Sequence, residues 1–128
     1  MSGKQNTTYI RSEPAIWRKL YRRIIKTFLD IVIMKELNDG SPMSGHDVIR
    51  FIHKKHNLFM SSGTIYSLLF SLERNGLIKG QKTQRKRTYK LTPRGEENLK
   101  TVLNAQREIQ RFVTNMLAPQ QHSEKMGG

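Results

Sequence analysis

The sequence predicts a mainly α-helical domain with one small β-hairpin, which is an α+β fold class. Three observations predict this fold. Apolar residues recur at helical spacing along most of the chain, two short extended runs precede the last helical pattern, and serine, proline and glycine mark where helices start and stop. The apolar share of 36% of 128 residues is enough for one modest core. We therefore expect one domain over residues 1–128, with flexible ends at about 1–12 and 118–128.

The formal net charge of the chain is +13, from 23 Lys and Arg residues against 10 Asp and Glu residues. Because so positive a field attracts polyanions, nucleic acids and anionic membrane surfaces are the first partners to consider. The absence of cysteine excludes disulfides, thiolate metal sites and thiol nucleophiles. No stretch approaches the roughly 18 consecutive apolar residues of a membrane-spanning helix, and the amino-terminal segment lacks the apolar run of a signal peptide. We therefore expect a soluble, cytoplasmic protein without a membrane partner.

The first helical pattern follows Glu13, has Pro14 at a first helical position, and ends before Gly40. Its apolar residues recur mostly at every fourth position: Ile16, Leu20, Ile24, Phe28 and Ile31. Either one long helix or two helices in series fit this pattern. Basic residues lie on its first half or just before it: Arg11, Arg18, Lys19, Arg22, Arg23 and Lys26. They either flank a nucleic acid or solvate a helix whose other side packs on a second subunit.

Serine caps predict the next two helices. The run Ser44-Gly45-His46-Asp47 resembles a capping box, in which a serine hydroxyl and an acid three residues later bind the free amides of a helix start. This second helix runs to about His56, with inward-facing Val48, Ile49 and Ile52. A third helix is capped by Ser61 or Ser62 and stops at Asn75-Gly76. Its inward-facing residues fall at i, i+3, i+4 and i+7: Ile65, Leu68, Leu69 and Leu72.

Two short extended runs, Leu77 to Lys82 and Arg87 to Leu91, predict a β-hairpin with a polar tip. In the second run, Tyr89 and Leu91 share one face. The hairpin and its flank hold basic residues and no acid: Lys79, Lys82, Arg85, Lys86, Arg87, Lys90 and Arg94. A charge run alone is often only a solvated surface. Beside the third helix, however, it favours contact with the phosphates or the minor groove of DNA.

The last helical pattern begins at Thr92-Pro93, a cap followed by a first-turn proline, and continues as one helix to Leu117. Within it, residues alternate by three and four positions, as in the a/d seam of a coiled coil: Leu99, Val102, Gln106, Ile109, Val113 and Met116. A seam of this kind needs a partner. We therefore predict that residues 93–117 form a dimerisation helix.

The order of elements, with a short turn between the second and third helices, predicts a winged helix-turn-helix whose core spans about residues 27–92. A helix fits the major groove of B-DNA, and its amino-terminal residues usually reach the base edges. The candidate contacts on the third helix are Ser61, Ser62, Thr64, Tyr66, Ser67 and Phe70. For Phe70 the favoured alternative is packing in the core, since most aromatic residues on helices are buried.

Two further groups of residues are candidates for contact with DNA. The candidates on the wing are Lys82, Gln84, Arg85, Lys86 and Arg87. The candidates at the start of the second helix are Ser44 and His46, the latter near a phosphate.

The run Gly63-Thr64-Ile65-Tyr66, followed by Asn75-Gly76-Leu77-Ile78, closely resembles the PadR family of transcriptional regulators. The flanks resemble it too, with Ser44-Gly45-His46 upstream and Arg87 to Thr92 downstream, so the similarity covers about residues 25–105. The resemblance implies a homodimeric, repressor-like protein that binds a palindromic operator in double-stranded DNA at the nucleoid. It also allows a small effector, for which no motif of this chain gives support.

Two features depart from the family. His46 stands where many relatives have an aromatic residue. Many relatives also have a longer carboxy-terminal region, in some cases with a tryptophan that lines a binding pore, whereas tryptophan occurs here only as Trp17.

Other classes of function find less support in the sequence. The chain has four histidines, His46, His53, His56 and His122. They form no nucleophile or metal motif, so we expect no catalysis, no metal and no cofactor. His53 and His56 lie three positions apart on a helix, but no third ligand follows at a suitable spacing. Three alternatives stay open: a winged helix that binds proteins, a chromatin-like or RNA-binding protein, and a protein drawn by charge to membrane surfaces.

Overall fold

A computed structural model describes residues 14–120 of the chain. Over this range six helices and three strands follow one another: α1 (Ala15–Thr27), α2 (Leu29–Asp39), β1 (Met43–Ser44), α3 (Gly45–His56), α4 (Ser62–Arg74), β2 (Ile78–Thr83), β3 (Lys86–Leu91), α5 (Pro93–Asn104) and α6 (Gln106–Leu117). The predicted α+β fold class is confirmed. The predicted flexible ends lie almost wholly outside the described residues, as do Arg11 and His122.

The first helical pattern forms two helices in series, α1 and α2. Phe28 separates them with φ −101° and ψ 21°, outside regular helical geometry. Hydrogen bonds still continue across this residue, because Phe28 N–H donates to the Ile24 carbonyl at 3.0 Å and Val32 N–H donates to the Phe28 carbonyl at 2.9 Å. The chain therefore bends here without a loop, and α2 enters the core at Leu29.

One hydrophobic core joins α2, α3, α4, the hairpin and α5. Its buried apolar residues are Leu29, Ile33, Met34, Leu37, Val48, Ile52, Leu58, Ile65, Leu69, Leu72, Ile78, Tyr89 and Leu99. The predicted inward phase of the third helix is confirmed, since Ile65, Leu69 and Leu72 are buried and Leu68 packs against them. Burial of these side chains is the main source of stability in a domain of this size.

Local caps start α3 and α4 where the sequence predicts them. The Ser44 hydroxyl accepts a hydrogen bond from Asp47 N–H at 3.0 Å, and the Asp47 carboxylate accepts one from Ser44 N–H at 2.9 Å. This is the predicted capping box. At α4 the cap is Ser61, whose hydroxyl accepts a hydrogen bond from Thr64 N–H at 3.1 Å. The loop between the two helices begins at Asn57, which has a left-handed backbone with φ 53°.

The predicted hairpin is present as β2 and β3, paired antiparallel from Ile78 opposite Leu91 to Thr83 opposite Lys86. Gln84 lies at its tip with φ 57°. A third strand, β1, adds Met43 opposite Tyr89 and gives the sheet order β1-β3-β2. The sequence did not predict β1, because two residues are too few to show alternation of apolar and polar side chains.

The prediction of one helix from Pro93 to Leu117 is wrong in one respect. Ala105 has φ −89° and ψ 11° and separates α5 from α6. Its N–H donates to the carbonyls of Thr101 and Val102, so the chain makes one tighter turn before α6 begins. No helix within residues 14–120 is both long enough and apolar enough to cross a membrane.

Candidate nucleic-acid interface

The exposed face of α4 presents the side chains predicted to contact DNA. Ser61, Ser62, Thr64, Tyr66, Ser67 and Phe70 are all exposed. Phe70 is 63% exposed, so its predicted packing in the core is wrong. Four of the six carry a small aliphatic hydroxyl, which allows close approach of another surface and offers both donors and acceptors.

Tyr66 packs directly on the backbone at the start of α3. A Cβ atom placed on Gly45 would lie 2.3 Å from the Cε1 atom of Tyr66, so only glycine allows this approach. Tyr66 nevertheless remains 47% exposed. Its ring therefore joins α4 to α3 while half of its surface faces outward.

The two candidates at the start of α3 differ in their surroundings. Ser44 is only 7% exposed and its hydroxyl caps the helix, so the prediction that Ser44 belongs to the contact surface is wrong. His46 is exposed and lines a cleft of about 470 Å³ together with Tyr66 and Arg85. This cleft separates α4 from the tip of the hairpin.

The basic side chains of the hairpin are exposed, but not all of them are free. Among the described residues, Lys82 and Arg85 take part in no ion pair. The Lys86 Nζ atom lies 3.8 Å from the Asp47 carboxylate. Gln84 and Arg85 are exposed at the tip itself. The tip therefore offers free positive charge and hydrogen-bond donors.

The Arg87 side chain reaches toward α4 while about half of it remains exposed. Its Nη2 atom lies 2.9 Å and 3.1 Å from the two carboxylate oxygens of Glu73. The predicted contact of Arg87 with DNA stays a prediction, but its guanidinium is already paired with Glu73. Glu73 also accepts a hydrogen bond from Gly80 N–H at 3.0 Å. The Gly80 hydrogen bond and the neighbouring Arg87 guanidinium hold the pKa of the Glu73 carboxyl below its usual range.

The sequence-based search for contacts missed Glu73. A signal was present, since Glu73 is the one acidic residue of α4 and precedes a hairpin that contains only basic charges. Spacing alone could not have paired it with Arg87, which stands fourteen positions later.

A second cleft lies on the other side of α4, against the end of α1. Its volume is about 780 Å³, and its walls include Lys26, Thr64 and Ser67. Of the described basic residues predicted on the first helix, Lys26 lines this cleft beside the candidate contacts Thr64 and Ser67. The exposed face of α4 therefore has the hairpin on one side and α1 on the other.

The predicted seam of the last helix is only partly available to a partner. Leu99 is 2% exposed and belongs to the core of its own domain, so its prediction as an interface residue is wrong. Val102 is half-buried, whereas the rest of the seam is exposed: Gln106, Ile109, Val113 and Met116. Phe112 and Leu117 extend the same apolar side of α6 and are 66% and 69% exposed. They lie three or four positions from seam residues, a spacing that could have identified them.

The histidines of α3 lie in unlike environments. His53 is exposed and stacks on Phe59, with ring centroids 4.0 Å apart. The His56 Nδ1 atom is hydrogen-bonded to the Tyr21 hydroxyl at 2.7 Å. Burial, assisted by the charge of Lys55, lowers the pKa of His56. Within residues 14–120 no three His, Asp or Glu side chains cluster in a way that could hold a metal ion.

The sequence model of the transcriptional regulator PadR-like family matches residues 33–101. A solved transcriptional regulator from Clostridium thermocellum is 26% identical with a TM-score of 0.64, over 76% of this chain and 96% of that chain. A PadR-like transcriptional regulator from Bacillus cereus is 23% identical with a TM-score of 0.64, over 77% and 99% of the two chains.

A third solved structure, Bacillus subtilis PadR in complex with operator DNA, is 26% identical with a TM-score of 0.53. That similarity covers 59% of this chain and 46% of the Bacillus subtilis chain. A search of curated proteins found no match. The family resemblance predicted from the run at Gly63 to Tyr66 is confirmed by the family match.

Proposed function

The chain belongs to the PadR-like family of transcriptional regulators, and from that premise we propose that it is a homodimeric repressor of a palindromic operator. The proteins that it resembles are transcriptional regulators rather than enzymes. One of them, Bacillus subtilis PadR, has been solved with operator DNA. Duplex DNA is accordingly the partner we propose, and the nucleoid is where the protein would act.

The observation that carries the proposal is the surface formed by α4 and the hairpin tip. Tyr66 on the exposed face of α4 shares a cleft with Arg85, and Lys82 on the same hairpin is, like Arg85, an exposed cation without an ion pair among the described residues. The one acid of α4, Glu73, is already paired with Arg87. A surface with hydrogen-bonding groups at its centre and positive charge at its edge matches the chemistry of a DNA groove between phosphates.

In this proposal α4 enters the major groove with its amino-terminal residues toward the base edges. The contacts are Ser61, Ser62, Thr64, Tyr66, Ser67 and Phe70, with Phe70 able to meet a thymine methyl group. The wing contacts are Lys82, Gln84, Arg85 and Lys86, on the backbone or in the minor groove. His46 and Lys26 flank α4 on its two sides and are placed to meet phosphates.

The proposed dimer uses the uncovered apolar sides of the end helices. Ile109, Val113 and Met116 are exposed on α6, and Ile16, Leu20 and Ile24 are exposed on α1. Apolar stripes of this kind are costly in water and typically mark an interface. A two-fold dimer would present two α4 helices to half-sites about 34 to 36 Å apart, one turn of DNA.

Selection of bound duplexes from a pool of random DNA tests this function. The expected result is an enriched palindrome whose half-sites are separated by about 10 base pairs. Enrichment of a single, unpaired half-site would contradict the dimer. Retention of all duplexes without enrichment would indicate a non-specific, chromatin-like protein, and no retention would favour a winged helix that binds proteins. Transcription in vitro from a promoter that contains the enriched site should then decrease when the protein is added.

A further inference from the structure

We propose that Arg87 is a positioning residue, which sets the angle of the wing against α4 through Glu73 and Gly80. We call these three residues the wing clasp. This inference rests on the proposed function, since it concerns how the same surface is held in register with DNA. In this role Arg87 holds the wing through Glu73 instead of contacting a phosphate.

The geometry of the wing clasp depends on the absence of a side chain at Gly80. A Cβ atom on Gly80 would lie 2.5 Å from the Nη2 atom of Arg87. Gly80 pairs with Tyr89 across the hairpin, so the Arg87 guanidinium crosses to the neighbouring strand above Gly80. On its way it lies 5.6 Å from the centre of the Tyr89 ring. Glu73 then binds both strands, β3 through Arg87 and β2 through the Gly80 amide.

The wing needs such an anchor for a physical reason. Beyond Thr88, the last residue of β3 that pairs with β1, the hairpin is a two-stranded ribbon. Such a ribbon is marginally stable by itself, so its direction is set by what it packs against. Near the tip, the Lys86 Nζ atom also lies 3.8 Å from the Asp47 carboxylate, which is a longer ion pair. The wing clasp is closer, because the Arg87 Nη2 atom lies within hydrogen-bond distance of both Glu73 carboxylate oxygens, and it is directed at α4. It therefore sets the distance between the helix that reads bases and the tip that binds the backbone.

Net charge alone and the wing clasp predict opposite effects of Glu73 on the affinity for DNA. Removal of the negative charge of Glu73 would strengthen binding to a polyanion if charge were all that mattered. If the wing clasp sets the angle of the wing, Glu73→Gln weakens binding instead. Whether Glu73→Gln strengthens or weakens binding to DNA therefore distinguishes a purely electrostatic role of Glu73 from a positioning role.

Titration of a selected operator with a set of variants at several salt concentrations tests the inference. Glu73→Gln and Arg87→Gln should each bind roughly fivefold more weakly, the upper range for an exposed ion pair. The double variant should bind no more weakly than either single variant, since both remove one interaction. The slope of affinity against salt should stay that of the native protein in all three.

A charge-neutral variant and a control complete the set. Gly80→Ala should also lose roughly fivefold in affinity, because its methyl group displaces the mobile end of Arg87 without altering any charge. Gln81→Ala, the exposed neighbour on β2, should bind like the native protein. Thermal unfolding is measured for every variant, so that loss of the fold is distinguished from loss of the wing angle.

Two results would overturn the inference. One is binding by Glu73→Gln that equals or exceeds that of the native protein. The other is a decrease of about one in the salt slope for Arg87→Gln, which would make Arg87 a phosphate contact. Failure of the native protein to bind any duplex would instead refute the proposed function, and the two failures are thereby distinct.

Discussion

The winged body, formed by α2 to α5 and the sheet, and the end helices α1 and α6 all have apolar residues at helical spacing, but these residues differ in burial. The body contains every buried apolar residue of the described chain, including Ile33, Ile52 and Leu69. Neither α1 nor α6 has a single buried residue. The body therefore holds the core, to which α1 adds only the half-buried Ile25, whereas the exposed apolar residues of the end helices have no cover within the described chain.

The few contacts of the end helices explain their exposure. α1 is held to α3 by the hydrogen bond between Tyr21 and His56, and Phe28 connects it to α2. α6 continues from α5 after Ala105 and packs on little else within the described residues. In the proposed function the body reads DNA and the ends bring two bodies together. Five predictions test this division.

The largest effect is expected for Ile109→Glu combined with Val113→Glu on α6. Buried carboxylates in the seam should give a monomer and reduce operator affinity at least about 100-fold, because bivalent binding is lost. Sedimentation equilibrium and operator titration measure both effects. Thr114→Glu combined with Asn115→Glu adds the same charge on the polar side of α6 and is expected to remain dimeric. Monomers from this control would move the interface away from the seam.

Truncation of a core residue should lower the free energy of unfolding far more than truncation of an apolar residue on an end helix. Leu69→Ala, at a fully buried site of α4, should lower the free energy of unfolding by about 3 kcal/mol. In the monomeric background of the preceding variant, Met116→Ala should change it by less than about 0.5 kcal/mol. Denaturant titration measures both. A comparable loss for Met116→Ala would show that α6 packs on its own body.

Removal of the wing cations by Arg85→Ala and Lys86→Ala should weaken binding about tenfold on every sequence and lower the salt slope by about two. Both side chains are exposed near the tip, where phosphates would lie. Lys100→Ala combined with Arg107→Ala removes equal charge from α5 and α6 and serves as the matched control. An unchanged slope in the wing variant would argue against phosphate contact there.

Loss of hydroxyl groups from α4 should reduce operator binding more than binding to unrelated DNA. Tyr66→Phe keeps the ring that packs on Gly45, so it removes the hydroxyl alone. This variant and Thr64→Ala should each bind the operator about fivefold more weakly, with native circular dichroism. Asn98→Ala, exposed on α5, is the control. Native affinity in both α4 variants would show that α4 is not the reading helix.

The smallest effect concerns pH and the attachment of α1. Because burial lowers the pKa of His56 in the folded chain, the unfolded chain takes up that proton first as the pH falls. The free energy of unfolding should therefore decrease from about pH 7 downward, and because His56 is only half-buried the decrease should stay well below the one-proton limit of about 1.4 kcal/mol per pH unit. His56→Gln should flatten this dependence, whereas His53→Gln at an exposed site should retain it. Equal slopes in the two variants would contradict the role of His56.

Sequence reasoning succeeded where structure is made by near neighbours along the chain. The Ser44 and Asp47 capping box, the Ser61 cap and the inward phase of α4 each depend on residues three or four positions apart. The same reasoning failed where a partner came from another element. Leu99 was expected at an interface but is buried in its own domain, and for Phe70, a candidate DNA contact, the favoured alternative of packing in the core was wrong.

The sequence by itself determined the order of elements, their caps and the basic character of the hairpin, because backbone preferences and charge belong to local residues. It also identified the family through the run at Gly63 to Tyr66. Tertiary structure alone decided that Arg87 binds Glu73, that Tyr66 rests on Gly45 and that Leu99 is buried. These outcomes depend on which surfaces meet once the core has formed. Spacing along the chain cannot predict such contacts, because the residues are distant in sequence and become neighbours only in the folded domain.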